Sequence, residues 1–373
     1  MAFTPGFNST EAEPLLAMLA ALEGTTPPPL TQPPWPSGWN IIYDSQQIGP
    51  FDNRWQLASN SQGQYAILIR GTIYAAGSII DDLLSVMIPA NASIGFTLGG
   101  TTYSLDYQLA AKNNTNAGVH LGFTLAMFIL MYWPSKGIIW QLVEQGILPG
   151  SDIFIAGHSQ GAAIATLCRS YLNYLSLDNV NLFGTMYNYK TYVFAQPKPG
   201  NDLYGYDYNS VAGNAGLAYT VNNSQDWVPQ APLTLELPSD INTPNPLSVL
   251  LENSAALANV TQSVNNLKDS IALAQASKHL SKMDALRQVF TSAEFQEKVL
   301  TKQIPQSAQT DDFKPVLPNL LLTLNFTGCG APYSLLGVPG TNPCDAKDFF
   351  WQHHGAMYYD LLTGTAIPTE CPD

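Results

Sequence analysis

The stretch that most constrains the fold is Ser151 to Cys168, SDIFIAGHSQGAAIATLC. An apolar strand pattern there runs into Gly157-His158-Ser159-Gln160-Gly161 and then into a run of small helix formers. A serine held at a sharp strand-to-helix turn takes a strained backbone, so the residues two before and two after it must lack bulk. Gly157 and Gly161 meet that need, and Ala162 and Ala163 let the helix approach a sheet closely. Ser159 would then stand at a helix N-terminus, where the partial positive charge and the free amide of Gln160 can stabilise a developing oxyanion.

Further apolar runs bounded by turn residues recur at Trp39 to Tyr43, Tyr65 to Ile69, Thr191 to Ala195 and Leu217 to Val221, with helical patterns between several of them. Strands alternating with helices predict an α/β fold with a mostly parallel central sheet. Residues 11–23 read as a short helix, and the GTTPPPLTQPPWPSG that follows is kept extended by its prolines. This divides the chain into an N-terminal helix and strap, 1–38, and a main domain, 39–373. No proline occurs between Leu247 and Gln303, where Leu257, Val260, Val264, Leu267 and Ile271 recur at helical spacing. Residues 231–318 therefore read as a helical cap or side insertion.

Charge narrows the partners. The 373 residues carry 15 Lys+Arg against 28 Asp+Glu, a net −13, and only 12% are charged, against about 25% in ordinary soluble domains. Such a chain opposes the phosphate backbone, so nucleic acid is excluded as a partner, and anionic membrane surfaces are disfavoured. The longest dense apolar stretch, Leu121 to Trp133, stops at Pro134, short of the roughly 18 residues a membrane span needs. It reads as a buried helix, and no transmembrane segment is expected. Residues 1–9 lack a basic start followed by an apolar core, so no secretory signal is visible. Low charge, the Asn-X-Ser/Thr triplets at Asn8, Asn91, Asn113, Asn222, Asn259 and Asn325, and three late cysteines nevertheless point to secretion. Cys329, Cys344 and Cys371 suggest one C-terminal disulfide, and Cys168 reads as a free core thiol.

Serine is a weak nucleophile on its own and needs a histidine base oriented by an acid, which on this strand-turn-helix plan follow in the order Ser, Asp/Glu, His. Asp226 sits just beyond the strand pattern ending at Val221, where the sites of open α/β sheets gather. Asp202 and Asp207 are its rivals in a Gly/Tyr-rich loop. Of the five histidines, His120 and His158 come too early and His279 lies in the helical insertion, which leaves His353 and His354. Spacing alone does not separate these two.

At this point the chain resembles the class 3 lipase family, whose members are α/β-hydrolases. Ile67-Leu68-Ile69-Arg70-Gly71-Thr72 is similar to the family's apolar strand ending in F-R-G-T/S, and Val119-His120-Leu121-Gly122-Phe123 to its V-H-x-G-F element. Phe194-Ala195-Gln196-Pro197-Lys198-Pro199-Gly200-Asn201 and Asn223 to Pro229 resemble its G-Q-P-R-x-G-N and N-x-x-D-x-V-P segments. The likeness covers residues 39–229 well and 319–362 loosely.

The resemblance implies an α/β-hydrolase fold with Ser159 as nucleophile, Asp226 as the triad acid and the amides of Thr72 and Gln160 as oxyanion donors. The family sets its histidine five residues before an aromatic, which His353 with Tyr358 satisfies and His354 with Tyr359 satisfies too. His353 is preferred as the base and His354 is the alternative. His120 is assigned a structural part. The implied activity is serine carboxylester hydrolysis, with a neutral acylglycerol at an oil–water interface as substrate and no cofactor or metal. A feruloyl-esterase-like soluble esterase, a phospholipase A1 and a lipase-like binding protein are the alternatives. A family-type lid would fall in Leu83 to Asn116. Two departures stand out: Gln160 replaces the usual Leu, and the span from Asp226 to His353 is long.

Overall fold

The computed structural model of the chain describes residues 3–24, 26–48, 53–71, 87–98, 101–133, 135–175, 186–232, 234, 318, 321, 323 and 325–372. In chain order the first elements are α1 (Ser9–Glu23), β1 (Trp39–Asp44), β2 (Trp55–Asn60), β3 (Tyr65–Ile69), β4 (Met87–Pro89), β5 (Asn91–Leu98), β6 (Thr101–Gln108) and β7 (Gly118–His120). Next come α2 (Leu121–Tyr132), α3 (Ile138–Glu144), β8 (Asp152–His158), α4 (Gln160–Tyr174), β9 (Asn188–Phe194), β10 (Gly200–Asn201), α5 (Asp202–Tyr208) and β11 (Ala218–Asn223). The C-terminal part adds β12 (Phe326–Thr327), β13 (Ala331–Leu335), a single 3-10 turn at Trp351–His353 and α6 (Gly355–Thr363).

The main sheet has seven strands in the order β1-β2-β3-β8-β9-β11-β13. The first three pair antiparallel, and β3 through β13 pair parallel. Every residue of β8 is buried, as expected of a central parallel strand covered on both faces. Its side chains alternate between two cores. Ile153 and Ile155 join α2 and α4 on one face, while Phe154 and Ala156 join α1 and Tyr358 of α6 on the other. The expected strands at residues 39, 65, 152, 191 and 217 are all present within a few residues of their predicted limits, and the α/β-hydrolase expectation holds.

α2 is apolar all round, and all its residues except Tyr132 are buried. A helix with no polar stripe can only be a core helix, which is the reading its length allowed. α1 likewise buries Ala12, Leu15, Leu16, Met18, Leu19 and Leu22 against the sheet. Its packing leaves no core boundary at residue 38. The strap continues inward too, with Leu30 packed on Trp351, Ala356 and Met357.

β4, the edge strand of a second sheet β12-β10-β7-β4, and the β5–β6 hairpin fall in the region expected to hold a lid. Met87 and Ile88 are fully buried on β4, paired with His120 and Val119, so that part of the segment is core strand and not an exposed apolar flap. Residues 83–86, together with most of the 231–318 insertion and His279, lie outside the described residues. No helix among the described residues is long and apolar enough to cross a membrane.

The disulfide joins Cys344 to Cys371, and Cys329 and Cys168 are buried free thiols. The bridge closes the segment that holds His353 and α6. With a sequence separation of 27, loop-closure entropy gives it about 3–4 kcal/mol of stability. Reduction under native conditions is expected to lower the urea midpoint accordingly. The Cys344→Ser/Cys371→Ser variant should unfold at that lower midpoint and be insensitive to reductant.

Candidate active site

The site begins at the turn between β8 and α4. Ser159 has φ 60° and ψ −136°, a region an L residue occupies only when its surroundings force it there. Its amide donates to the Phe194 carbonyl on β9 at 3.0 Å. A Cβ on Gly157 would collide with the Gly161 carbonyl, and one on Gly161 with the Ile69 carbonyl of β3. Both glycines of the pentapeptide are therefore required by the close approach of strand, turn and helix. Gly71 is under the same constraint, since a Cβ there would lie 2.9 Å from both the Ser159 Cβ and the His158 carbonyl oxygen.

The candidate base and acid, His353 and Asp226, arrive from the C-terminal half of the chain. His353, buried in the 3-10 turn, faces Ser159 Oγ with Nε2 at 2.8 Å and Asp226 Oδ2 with Nδ1 at 2.7 Å. Of the two histidines left open by the sequence, this one joins Ser159 to Asp226. His354 places its Nε2 2.9 Å from Asp348 Oδ2. The rival acids are occupied elsewhere: Asp207 accepts from the Ala111 amide and the Tyr174 hydroxyl, and Asp202 from Asn325 Nδ2.

Asp226 is almost fully buried, which opposes its charge, yet its carboxyl is held below the ordinary value. The adjacent His353, with which it is hydrogen-bonded, the Val228 amide and the Tyr358 hydroxyl together outweigh the burial. The Tyr358 hydroxyl donates to Asp226 Oδ2 at 2.8 Å and accepts the Asn223 amide at 3.0 Å. Asn223 also donates through Nδ2 to the Gln352 carbonyl oxygen and to Gln352 Oε1, while Trp227 Nε1 donates to the Phe349 carbonyl. Acid loop and base loop are thus stitched together by four side chains.

Sequence reading did not assign Tyr358 or Asn223 a part in holding the acid. The signal was present in the spacing of the aromatic five residues after the histidine. Only Tyr358, fully buried where Tyr359 is half-buried, can reach the carboxylate.

Gln160 is the first residue of α4, directly after Ser159. Thr72 lies outside the described residues, although its neighbour Gly71 is packed on Ser159. His120 caps α2, accepting from the Phe123 amide at 3.3 Å with its ring stacked on Phe123, in keeping with its structural assignment. Gln196 donates to Thr166 Oγ1 and accepts the Cys329 amide, and Asn201 accepts the Gly118 amide. The Q-P-K-P-G-N motif, which runs from the end of β9 to β10, is therefore fixed at both of its ends. No group of three or more His, Cys, Asp or Glu among the described residues could hold a metal ion.

Residues 67–236 match the family described as lipase (class 3). This segment of the chain, which holds Ser159 and Asp226, is similar to the class 3 lipases. Among solved structures, the M37 lipase is 14% identical with a TM-score of 0.50, over 96% of this chain and 92% of that one. This likeness shows the shared α/β-hydrolase fold. The Rhizomucor miehei triacylglyceride lipase is 17% identical over 60% of this chain and 74% of its own, with a TM-score of 0.39. Lipase II from Rhizopus niveus is also 17% identical over 60% and 74%, with a TM-score of 0.40. No curated protein matches the chain. The match over residues 67–236 supports a lipase-type hydrolase.

Tyr358→Phe removes the donor to Asp226 and the acceptor for the Asn223 amide, and is expected to destabilise the fold by about 1–3 kcal/mol. Urea unfolding measures it. The Asp226 carboxyl is depressed in the folded state, so its contribution is complete above its unfolded value of about 3.8 and is lost as pH falls through the folded value. The gap between wild type and Tyr358→Phe should therefore narrow as the medium is acidified through that range.

Proposed function

We propose that the protein is a serine carboxylester hydrolase, specifically a triacylglycerol lipase working through a Ser159–His353–Asp226 triad. The observation that carries this reading is the continuous hydrogen-bonded line from Ser159 Oγ through both nitrogens of His353 to Asp226 Oδ2, at 2.8 and 2.7 Å.

In this mechanism His353 Nε2 takes the proton of Ser159 as Oγ attacks the ester carbonyl carbon. Asp226 fixes the tautomer with the proton on Nδ1 and stabilises the imidazolium that forms. The tetrahedral oxyanion is held by the Gln160 amide at the N-terminus of α4, joined by Thr72 from the strand end. Collapse expels the alcohol, which receives the proton from His353, and leaves an acyl-enzyme. Water, deprotonated by the same histidine, then releases the acid and restores Ser159. Every step is proton transfer and acyl transfer, so the residues present suffice.

The substrate follows from two features of the chain. Its net charge of −13 repels anionic headgroups and leaves neutral esters favoured, and the likeness of residues 67–236 to class 3 lipases suggests an acylglycerol. Secretion fits the Cys344–Cys371 disulfide, a bond that persists in oxidising compartments.

Hydrolysis of p-nitrophenyl esters from acetyl to palmitoyl tests the reading. Ser159→Ala and His353→Ala are each expected to lower kcat by up to about 10⁶-fold, and Asp226→Asn by about 10⁴-fold. His354→Ala should retain activity within about tenfold. Long-chain activity that vanishes with Ser159→Ala supports the lipase. Activity confined to short chains would replace it with an esterase, and no activity on any ester would replace it with a binding protein on a hydrolase fold.

A further inference from the structure

α1 ends in a glutamate, and a carboxylate is the wrong charge for a helix C-terminus, where the last carbonyls are already partly negative. Glu23 also turns inward, with its side chain only 13% exposed. Burying a carboxylate without compensation is costly, so its partners are informative. One oxygen, Oε1, lies 2.5 Å from Nδ1 of His158, the residue immediately before Ser159. The other, Oε2, lies against Gly355, where a Cβ would stand 3.1 Å from it. Gly355 is the first residue of α6, two positions after His353. A single carboxylate from the N-terminal helix thus touches both the segment carrying the serine and the segment carrying the base.

His158 is fully buried. Its ring centroid is 4.8 Å from that of His353, and it meets Tyr358 edge-on at 5.6 Å. The groups that face it are Glu23 from α1, Asp226 from the loop after β11, His353 from the 3-10 turn, and Tyr358 from α6. Burial opposes charge on both members of the pair, and their mutual attraction and hydrogen bond overcome it. The Glu23 carboxyl is held below its ordinary value and the His158 imidazole above its own. A buried ion pair is poor stabilisation compared with well-packed apolar groups of the same volume, so packing alone does not account for this one.

We propose that Glu23 and His158 are positioning residues for His353, a second carboxylate–imidazole pair that locks the serine turn to the base segment and sets a fixed positive charge behind the His353 ring. The proposal rests on the reading of Ser159, His353 and Asp226 as a triad. The His158 ring stands behind that of His353, with the centroids 4.8 Å apart. Glu23 holds the His158 charge in place, because a buried imidazole without its counter-ion gives up its proton.

Glu23→Gln is nearly isosteric and tests the idea by how its effect divides between kcat and KM. With wild type and Ser159→Ala alongside, kcat and KM for a p-nitrophenyl ester are measured at a temperature where circular dichroism shows each protein folded. The variant is expected to lose about 10- to 100-fold in kcat, the scale of a small misplacement of reacting groups, with KM within about twofold. Adding Glu23→Gln to His158→Gln should cost little beyond His158→Gln alone.

An active wild type beside a folded Glu23→Gln with unchanged kcat would overturn the proposal and leave the triad intact. A wild type inactive on every ester, with Ser159 unreactive to a phosphonate probe, would instead overturn the triad reading. A third measurement needs no variant. In wild-type protein with 15N-labelled histidine, NMR at neutral pH should find both ring nitrogens of His158 protonated, and a singly protonated ring would also overturn the proposal.

Discussion

The backbone of Ser159 at φ 60° is the constraint on which the rest of the site depends. Holding an ordinary residue there costs about 1–3 kcal/mol, and the cost is met because three glycines let β3, β8 and α4 come closer than any side chain would allow. Gly157 and Gly161 clear the turn itself, and Gly71 clears the space above it where the β3 strand end passes Ser159. With the turn fixed, the serine hydroxyl and the Gln160 amide share one helix N-terminus. Their geometry is settled before any substrate arrives, which is the condition for electrostatic preorganisation.

The second half of the site solves a different problem. Asp226 and His353 belong to loops 127 residues apart in sequence, and loops do not by themselves hold a histidine to a fraction of an ångström. Here each loop is anchored to the other. Tyr358 reaches from α6 to Asp226, Asn223 reaches to Gln352, and Trp227 reaches to the Phe349 carbonyl. The Cys344–Cys371 bond then ties down the outer ends of the segment that carries the base. This explains why a long insertion between acid and base is tolerated: the closing contacts lie on its two flanks, and loop-closure entropy grows only slowly with length.

The serine turn, its strand and its helix were legible because their requirements are local, with glycine spacing, apolar run and small-residue helix falling within eighteen residues of sequence. The acid was legible by its place after a strand. The choice between His353 and His354 was not, because adjacent residues differ in where their side chains point and only the 3-10 turn ahead of α6 settles that. β2 and the β5–β6 hairpin were missed as elements for a related reason. Their residues lack the clean apolar alternation of the central strands, and the pairing that defines them is with other strands. Glu23 reads from sequence only as the last residue of a short helix, since nothing local in EAEPLLAMLAALE reveals that its side chain meets a histidine 135 residues away.

That last miss bears on how the molecule is divided. A chain with so few charges spends little on surface electrostatics, so the ionisable groups it does bury mark places where charge has work to do. Around the serine turn three carboxylates meet three imidazoles: Asp226 with His353, Glu23 with His158, and Asp348 with His354. Two of these pairings join distant stretches of chain at that point, and the third lies within the segment that carries His353. Because one of those stretches is α1, the N-terminal helix cannot be an appendage to a self-sufficient hydrolase domain. Its apolar face completes the core beneath β3 and β8, and its final residue closes the polar cluster beneath the base. Loss of α1 would therefore open the sheet to water and strip His158 of its partner in one event, coupling the fold's stability to the site's electrostatics through one side chain.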